Sequence, residues 1–318
     1  MESPLLSVLI IAYNHASYIE QTILGALAQK TSFDFEIVVG DDASPDGTQA
    51  IIRKYAKEHP GKIRPFCYEV NQGLMGKYNF TKTLSECRGK YVALVEGDDY
   101  WTDPNKLEEQ VLFLESNPDY SFSFHQVDII TEGQFDYDHR IYAEAVQDAT
   151  TSDILGAHFI PTLSLVFHKK YVDPLPDFYW KVPSGDIVIE LVLSLFGKAR
   201  YFPKSMGVYR NHSQGITKTE PNWSLDTLIG YLNLYHEFDK HAKGVHHEQI
   251  NGLLKQKLIA SLATNNRQYR GWTRAWNQLM ICRQGFKFLD TRSFSQKKDI
   301  LYSLLIPRLY QRLRPTGD

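Results

Sequence analysis

Two pairs of adjacent carboxylates mark where this chain could do chemistry. Asp98 and Asp99 sit in the stretch Tyr91–Trp101, where the apolar residues Tyr91–Val95 give way at once to Glu96 and Gly97. Asp41 and Asp42 follow Phe35–Val39 in the same manner. Neighbouring carboxylates repel one another, so a site that keeps both ionised calls for a cation with oxygen ligands, and Mg²⁺ or Mn²⁺ would fit. Taken alone, Gly-Asp-Asp is equally the composition of a solvated turn. The elements that deliver the acids have to decide between the two.

Those elements read as alternating strands and helices. Ser7–Ala12 is a short β-branched run that ends at Tyr13-Asn14-His15, and Ile19, Ile23, Ala26 and Leu27 then recur at helical spacing. Phe35–Val39 predicts a second strand, a helix through Ile51, Ile52 and Tyr55 follows, and Ile63–Tyr68 predicts a third strand. After the turn Asn71-Gln72-Gly73, a helix with Phe80 and Leu84 inward leads into Tyr91–Val95. Parallel strands joined by right-handed helical crossovers satisfy this order, giving a doubly wound α/β sheet whose ligands bind beyond the carboxyl ends of the strands. Further on, the pattern predicts a helix over Pro104–Leu114 capped by Asp103, strands over Ser121–Val127, Val127–Thr131 and Leu163–Phe167, and a surface excursion over Glu132–Ala149. A loop over Asp173–Pro183 precedes an amphipathic helix, Ile187–Phe196. From Trp223 only helices are expected: Trp223–Lys240, His246–Asn265, Gly271–Arg283 and a basic segment to Arg314. The division is thus a sheet domain over 1–220 and a helical appendage over 221–318.

Composition excludes several classes. The chain has 318 residues and a net charge of −2, but from Ile250 onward 13 Lys and Arg face 3 Asp and Glu, so the remainder holds 22 against 34. An acidic body with a basic tail points to an anionic surface as the tail's partner, and no nucleic acid is expected. Three widely separated cysteines, Cys67, Cys87 and Cys282, form neither a disulfide framework nor a zinc spacing, which suits a reducing compartment. The first apolar run is too short for a signal h-region or a membrane span, so a cytoplasmic location is expected. No G-x-G-x-x-G follows the first strand and no G-x-x-x-x-G-K-[ST] occurs, which argues against dinucleotide and P-loop chemistry.

The ordered stretches S-V-L-I-I-A-Y-N-H-A-S-Y-I-E-Q-T-I, E-I-V-V-G-D-D-A-S-P-D-G-T and G-K-Y-V-A-L-V-E-G-D-D-Y-W resemble the family 2 glycosyltransferases of the GT-A fold, over about Ser7 to Gly215. The resemblance implies a Rossmann-like, mostly parallel sheet and a nucleoside diphosphate sugar donor, usually a uridine one. Ala12, Tyr13 and Asn14 would line the nucleotide pocket, with Asn71 and Gly73 in the turn beside it. Asp42 would accept the imide N–H of the pyrimidine, which cytosine lacks. Asp41 and Ser44 are alternatively turn residues. Asp98 would face ribose or metal, Asp99 would hold the metal, and Glu96 would support the cluster. Many members carry an Arg just before the position of Asn79, where this chain has Tyr78 after Lys77, and the source of positive charge there stays open.

Further along, Pro183-Ser184-Gly185-Asp186 resembles the segment bearing the family's catalytic base, and Asp186 would take the acceptor proton. Asp186 is also placed to cap the helix that follows, and Glu190 is the alternative base. Val208–Gly215 resembles the family's Y-R-x-H segment, with His212 near the metal and Arg210 near the departing diphosphate. The other ten histidines read as solvated.

The implied activity is inverting transfer, dependent on Mn²⁺ or Mg²⁺, to a glycan or polyprenyl-linked acceptor in envelope polysaccharide synthesis. The basic tail, with Lys297, Lys298, Arg308, Arg312 and Arg314 among Leu301, Leu304 and Leu305, suits the inner face of an anionic membrane or a homodimer contact. A non-catalytic sugar-nucleotide-binding module is the alternative, and intact acids at Asp98, Asp99 and Asp186 argue against it. A nucleotidyltransferase would carry a Gly-rich basic loop after strand one, where Ala12–Ser17 has no Gly, Lys or Arg.

Overall fold

The computed structural model describes residues 3–131, 137–138, 147–156, 160–213, 215, 225–268, 272, 277–281, 283 and 287–288. The last basic segment, most of Glu132–Ala149 and much of the helix expected over Gly271–Arg283 lie outside these residues. By packing the chain divides into two units, one of Met1–Pro176 with Gly185–Thr219, the other of Asp177–Ser184 with Glu220–Asp318.

The first unit is built on one sheet. Its strands are β1 (Leu6–Ala12), β2 (Phe35–Asp41), β3 (Ile63–Cys67), β4 (Tyr91–Glu96), β5 (Tyr100–Trp101), β6 (Tyr120–Thr131), β7 (Tyr137–Asp138), β8 (Asp148–Ala149), β9 (Val166–His168) and β10 (Lys198–Asn211). Helices α1 (Ile19–Leu27), α2 (Thr48–Glu58), α3 (Lys77–Glu86), α4 (Lys106–Ser116), α5 (Thr151–Gly156) and α6 (Gly185–Ser194) intervene. The spatial order is β3-β2-β1-β4-β9-β6-β10-β5. Pairing is parallel from β3 through β4 and between β6 and β10, and antiparallel at β9 and β5. This is the doubly wound, mostly parallel sheet predicted.

The order reverses at β1, because β2 and β3 lie on one side of it and β4 on the other. That reversal opens a crevice beyond the strand ends. Register brings the tips level: Ala12 pairs with Asp41 and Ile11 with Glu96. Both faces of the central strands are covered, so Leu6, Val8, Leu9 and Ile10 are fully buried, each side chain contributing roughly 1.5–3 kcal/mol. Close packing of α3 on β2 depends on Gly40, where a Cβ would fall 1.9 Å from Thr83 Oγ1 and 2.3 Å from Asn79 Oδ1.

Some local expectations change. Helix α4 starts at Lys106, and Asp103 serves the turn before it, its Oδ1 accepting the Asn105 N–H at 2.9 Å. The two strands expected from Ser121 to Thr131 are one, β6, held along β10 with irregularities in register. Leu163 belongs to a short 3₁₀ turn whose carbonyl accepts Trp101 Nε1–H at 2.8 Å, and β9 begins at Val166.

In the second unit, α7 (Leu225–His241) and α8 (His247–Gln268) bury Leu228, Leu232 and Tyr235 together with Leu254, Leu258 and Leu262. The turn from Asp177 packs on α7: Asn233 Nδ2–H donates to the Lys181 carbonyl at 3.3 Å, and a Cβ at Gly230 would meet Pro183 at 2.8 Å.

Candidate active site

The loops after β1 and β2 are tied to each other. Asn14 N–H donates to Ser44 Oγ and His15 N–H to Thr48 Oγ1, both at 2.9 Å, while Ala16 N–H donates to Asp46 Oδ2 at 3.0 Å. Asn14 and Ala43 adopt left-handed backbone, with φ of 59° and 60°, which an asparagine tolerates but an alanine holds only where its surroundings enforce it. Asp41 is fully buried and accepts Ser44 N–H, Ser44 Oγ–H and Gln49 Nε2–H, so it anchors the turn.

Asp42 stands at the crevice. Its N–H donates to the Ala12 carbonyl at 3.0 Å, its Oδ1 accepts Gln72 N–H at 2.9 Å, and its carbonyl accepts Asn71 Nδ2–H at 3.0 Å. Gly73, at φ 64°, donates its N–H to Asn71 Oδ1 at 2.8 Å. Ala12, Tyr13, Asn14, Asp42, Asn71 and Gly73 are therefore gathered on one side, with Tyr13 exposed.

Beyond β4 the two aspartates part. Asp99 is buried: its Oδ1 accepts Arg210 N–H at 2.8 Å and its carbonyl accepts Thr22 Oγ1–H at 2.6 Å. Asp98 keeps some exposure, and its Oδ2 lies 3.0 Å from His212 Nε2 and 3.6 Å from His15 Nε2. The Arg210 guanidinium donates to the Asp98 carbonyl and to Gln21 Oε1, with the Tyr100 ring 4.3 Å from its centre. Tyr18 lies against His212, ring centres 4.8 Å apart. Burial, then the Asp98 charge, pushes the Glu96 carboxyl upward, and burial, then Glu96, does the same to Asp99.

Asp186 lies in the first turn of α6, where its Oδ1 accepts the Ile187 N–H at 2.9 Å. It is near enough to Glu96, Lys77 and Glu190 for its charge to act on all three. Glu190 is fully buried, and burial raises its carboxyl.

Not all histidines are solvated as expected. His125 and His168 are buried in the sheet, and His15 turns into the acid cluster. Tyr18, Gln21 and Tyr100 also border the site although the sequence did not mark them out, and Lys77, noted in the sequence beside Tyr78, borders it as well. The departure noted before Asn79 was a signal for Lys77 alone.

Among the described residues no three His, Cys, Asp or Glu side chains converge to hold a metal ion by themselves. Asp98 and His212 offer two donors, and a hard divalent ion that takes its other ligands from phosphate and water fits such a pair. The chemistry of the cluster agrees with this fit. Three carboxylates within four residues, with the Glu96 Oε2 buried and lacking a hydrogen-bond partner, call for added positive charge.

The family model described as glycosyl transferase family 2 matches residues 7–171, more than half of the chain, and the chain belongs to that family. Its sheet is that of the GT-A fold. S. aureus TarS 1–349 in complex with UDP-GlcNAc superposes with a TM-score of 0.54 at 16% identity, covering 94% of this chain and 79% of that one. The mannosyltransferase PcManGT from Pyrobaculum calidifontis, in complex with GDP-Man and Mn²⁺, gives 0.55 at 18% identity, covering 92% and 89%. An uncharacterized Mycobacterium tuberculosis protein is 35% identical over 215 residues, 66% of this chain, and the chain spans about 60% of that relative's length. The Escherichia coli protein WfaP, a UDP-Glc:α-D-GlcNAc-diphosphoundecaprenol β-1,3-glucosyltransferase, is 33% identical over 136 residues, 41% of this chain and 51% of that protein.

Proposed function

We propose that the chain is an inverting, divalent-metal-dependent glycosyltransferase. It would move a sugar from a UDP-sugar to a hydroxyl of a glycan or polyprenyl-linked acceptor in envelope polysaccharide synthesis, at the cytoplasmic face of the membrane. One observation carries the reading: the register of β2, β1 and β4 sets Asp42 and Asp98 just past level strand tips on either side of the crevice. The UDP-sugars named for TarS and WfaP, and the lipid-linked acceptor named for WfaP, support the substrate classes. The Mn²⁺ of PcManGT supports the metal.

On this reading Asp42 receives the uracil imide N–H on the carboxylate oxygen that Gln72 does not occupy. Asp98 and His212 would hold the cation, whereas Asp99 anchors β10 through the Arg210 N–H. When bound, the cation offsets charge on the departing diphosphate. Arg210 adds a second positive charge there. Asp186 accepts the acceptor's hydroxyl proton as that oxygen attacks the anomeric carbon from the face opposite the diphosphate. The new C–O bond forms as the bond to phosphate breaks, and the electron pair leaves with UDP.

The test is transfer from a panel of radiolabelled UDP-sugars to polyprenyl-diphosphate-linked glycans in the presence of Mn²⁺. Incorporation by the wild type and its loss in Asp186→Asn are expected. Incorporation at the wild-type rate in that variant would overturn the assignment of the base.

A further inference from the structure

His15 has no role in the chemistry above, yet it is among the most firmly placed groups around Asp98. Its N–H donates to Thr48 Oγ1, whose own hydroxyl donates to Asp46 Oδ1. Its carbonyl accepts Tyr18 N–H at 2.9 Å and Ile19 N–H at 2.8 Å, at the entry to α1. With the backbone held this way, the ring presents Nε2 toward Asp98 Oδ2 at 3.6 Å, an electrostatic contact longer than a hydrogen bond. The opposite edge is closed: Nδ1 is buried without a hydrogen-bond partner, and a Cβ on Gly97 would lie 2.8 Å from it. With no acceptor for a proton on Nδ1, the neutral tautomer assigned carries its proton on Nε2, facing the carboxylate.

Two imidazoles thus address a single oxygen, since His212 Nε2 lies 3.0 Å from the same Oδ2. One ring nitrogen cannot both donate a hydrogen to Asp98 and offer its lone pair to a cation. If Asp98 and His212 hold the cation, as the proposed function has it, His212 Nε2 ceases to be a donor. Among the described residues His15 then supplies the N–H that faces Oδ2.

We infer that His15 is a positioning residue for the cation site, orienting the Asp98 carboxylate from behind without touching the ion. Groups that orient a metal's ligands typically change its affinity by about 10–100-fold. This inference rests on the proposed donor site.

The test is a Mn²⁺ titration at saturating UDP, with free Mn²⁺ followed by electron paramagnetic resonance, on wild type, His15→Phe, His15→Gln and Thr48→Val. Phe fills the space but lacks the N–H, so its Mn²⁺ affinity falls about 10–100-fold, whereas Gln, whose amide can donate to Asp98, stays within about threefold of wild type. Thr48→Val, which leaves the ring but frees its backbone anchor, falls between them. Thermal unfolding without metal checks that each variant is folded, and His15→Ala replaces the Phe variant should that one fail. Wild-type affinity in His15→Phe, or equal losses in the Phe and Gln variants, overturns the positioning role alone. Absence of UDP-dependent Mn²⁺ binding in the wild type overturns the donor site and this inference with it.

Discussion

Asp98 and Asp99, neighbours in sequence, face different surroundings. Asp99 points into the protein toward the backbone of β10, and Asp98 points between two histidines at the rim of the crevice. Asp98→Asn should therefore weaken Mn²⁺ binding in the presence of UDP by more than about tenfold, the scale expected when a carboxylate ligand loses its charge. Asp99→Asn keeps the acceptor for the Arg210 N–H and should change that affinity by less than about threefold; Mn²⁺ titration separates the two. Asp186→Asn should leave UDP affinity unchanged and lower transfer by about 10²–10⁴-fold, as measured in single-turnover assays. Asp42 and Asp98 were legible in the sequence because apolar runs stop abruptly at both places. His15 was not, because its direction is set by Thr48, 33 residues further on, and by the space at Gly97.

At the scale of elements, the strand tips stay level only while β1, β2 and β4 keep their register, and a buried carboxylate helps to hold it. Glu36 on β2 accepts Ser7 Oγ–H from β1 at 2.8 Å and the Arg88 guanidinium just before β4 at 2.6 Å, with Arg64 from β3 at 3.0 Å. Burial alone would raise its carboxyl, but these hydrogen bonds outweigh burial and leave it below the usual range. Its contribution to stability is accordingly complete above the unfolded-state value near 4.5 and is lost as pH falls through the lower folded value. Glu36→Ala, which takes the acceptor from Ser7 Oγ–H and from the Arg88 backbone N–H while the partly exposed arginines turn to water or to Glu86, should cost about 1–3 kcal/mol at pH 7 by urea unfolding, and this difference should shrink below about pH 4. Gly40→Ala should cost about 1–3 kcal/mol by pushing α3 off β2. The parallel strands β1 to β4 were legible because long apolar runs alternate with helical spacing. The antiparallel β9 was placed three residues early, since three residues carry no periodicity and its neighbour Leu163 is as apolar as a strand residue.

For the whole molecule, the family and the GT-A sheet were legible because three motifs occur in order, each at the end of a strand. The second unit was legible only as helices, because helical periodicity gives lengths and faces without partners. Among the described residues no helix is long and apolar enough to cross a membrane. The excess of 13 basic over 3 acidic residues from Ile250 onward predicts association with vesicles containing phosphatidylglycerol, released by salt, and none with phosphatidylcholine alone. Sedimentation with the two vesicle types at low and high salt checks it. Calorimetric titration of UDP, with GDP and dTDP as controls, on wild type and Asp98→Asn with Mn²⁺ or EDTA tests the donor site most directly. UDP binding that requires Mn²⁺ and is lost in the variant is the predicted result. Binding of no nucleoside diphosphate, or binding indifferent to both the metal and Asp98, would contradict it.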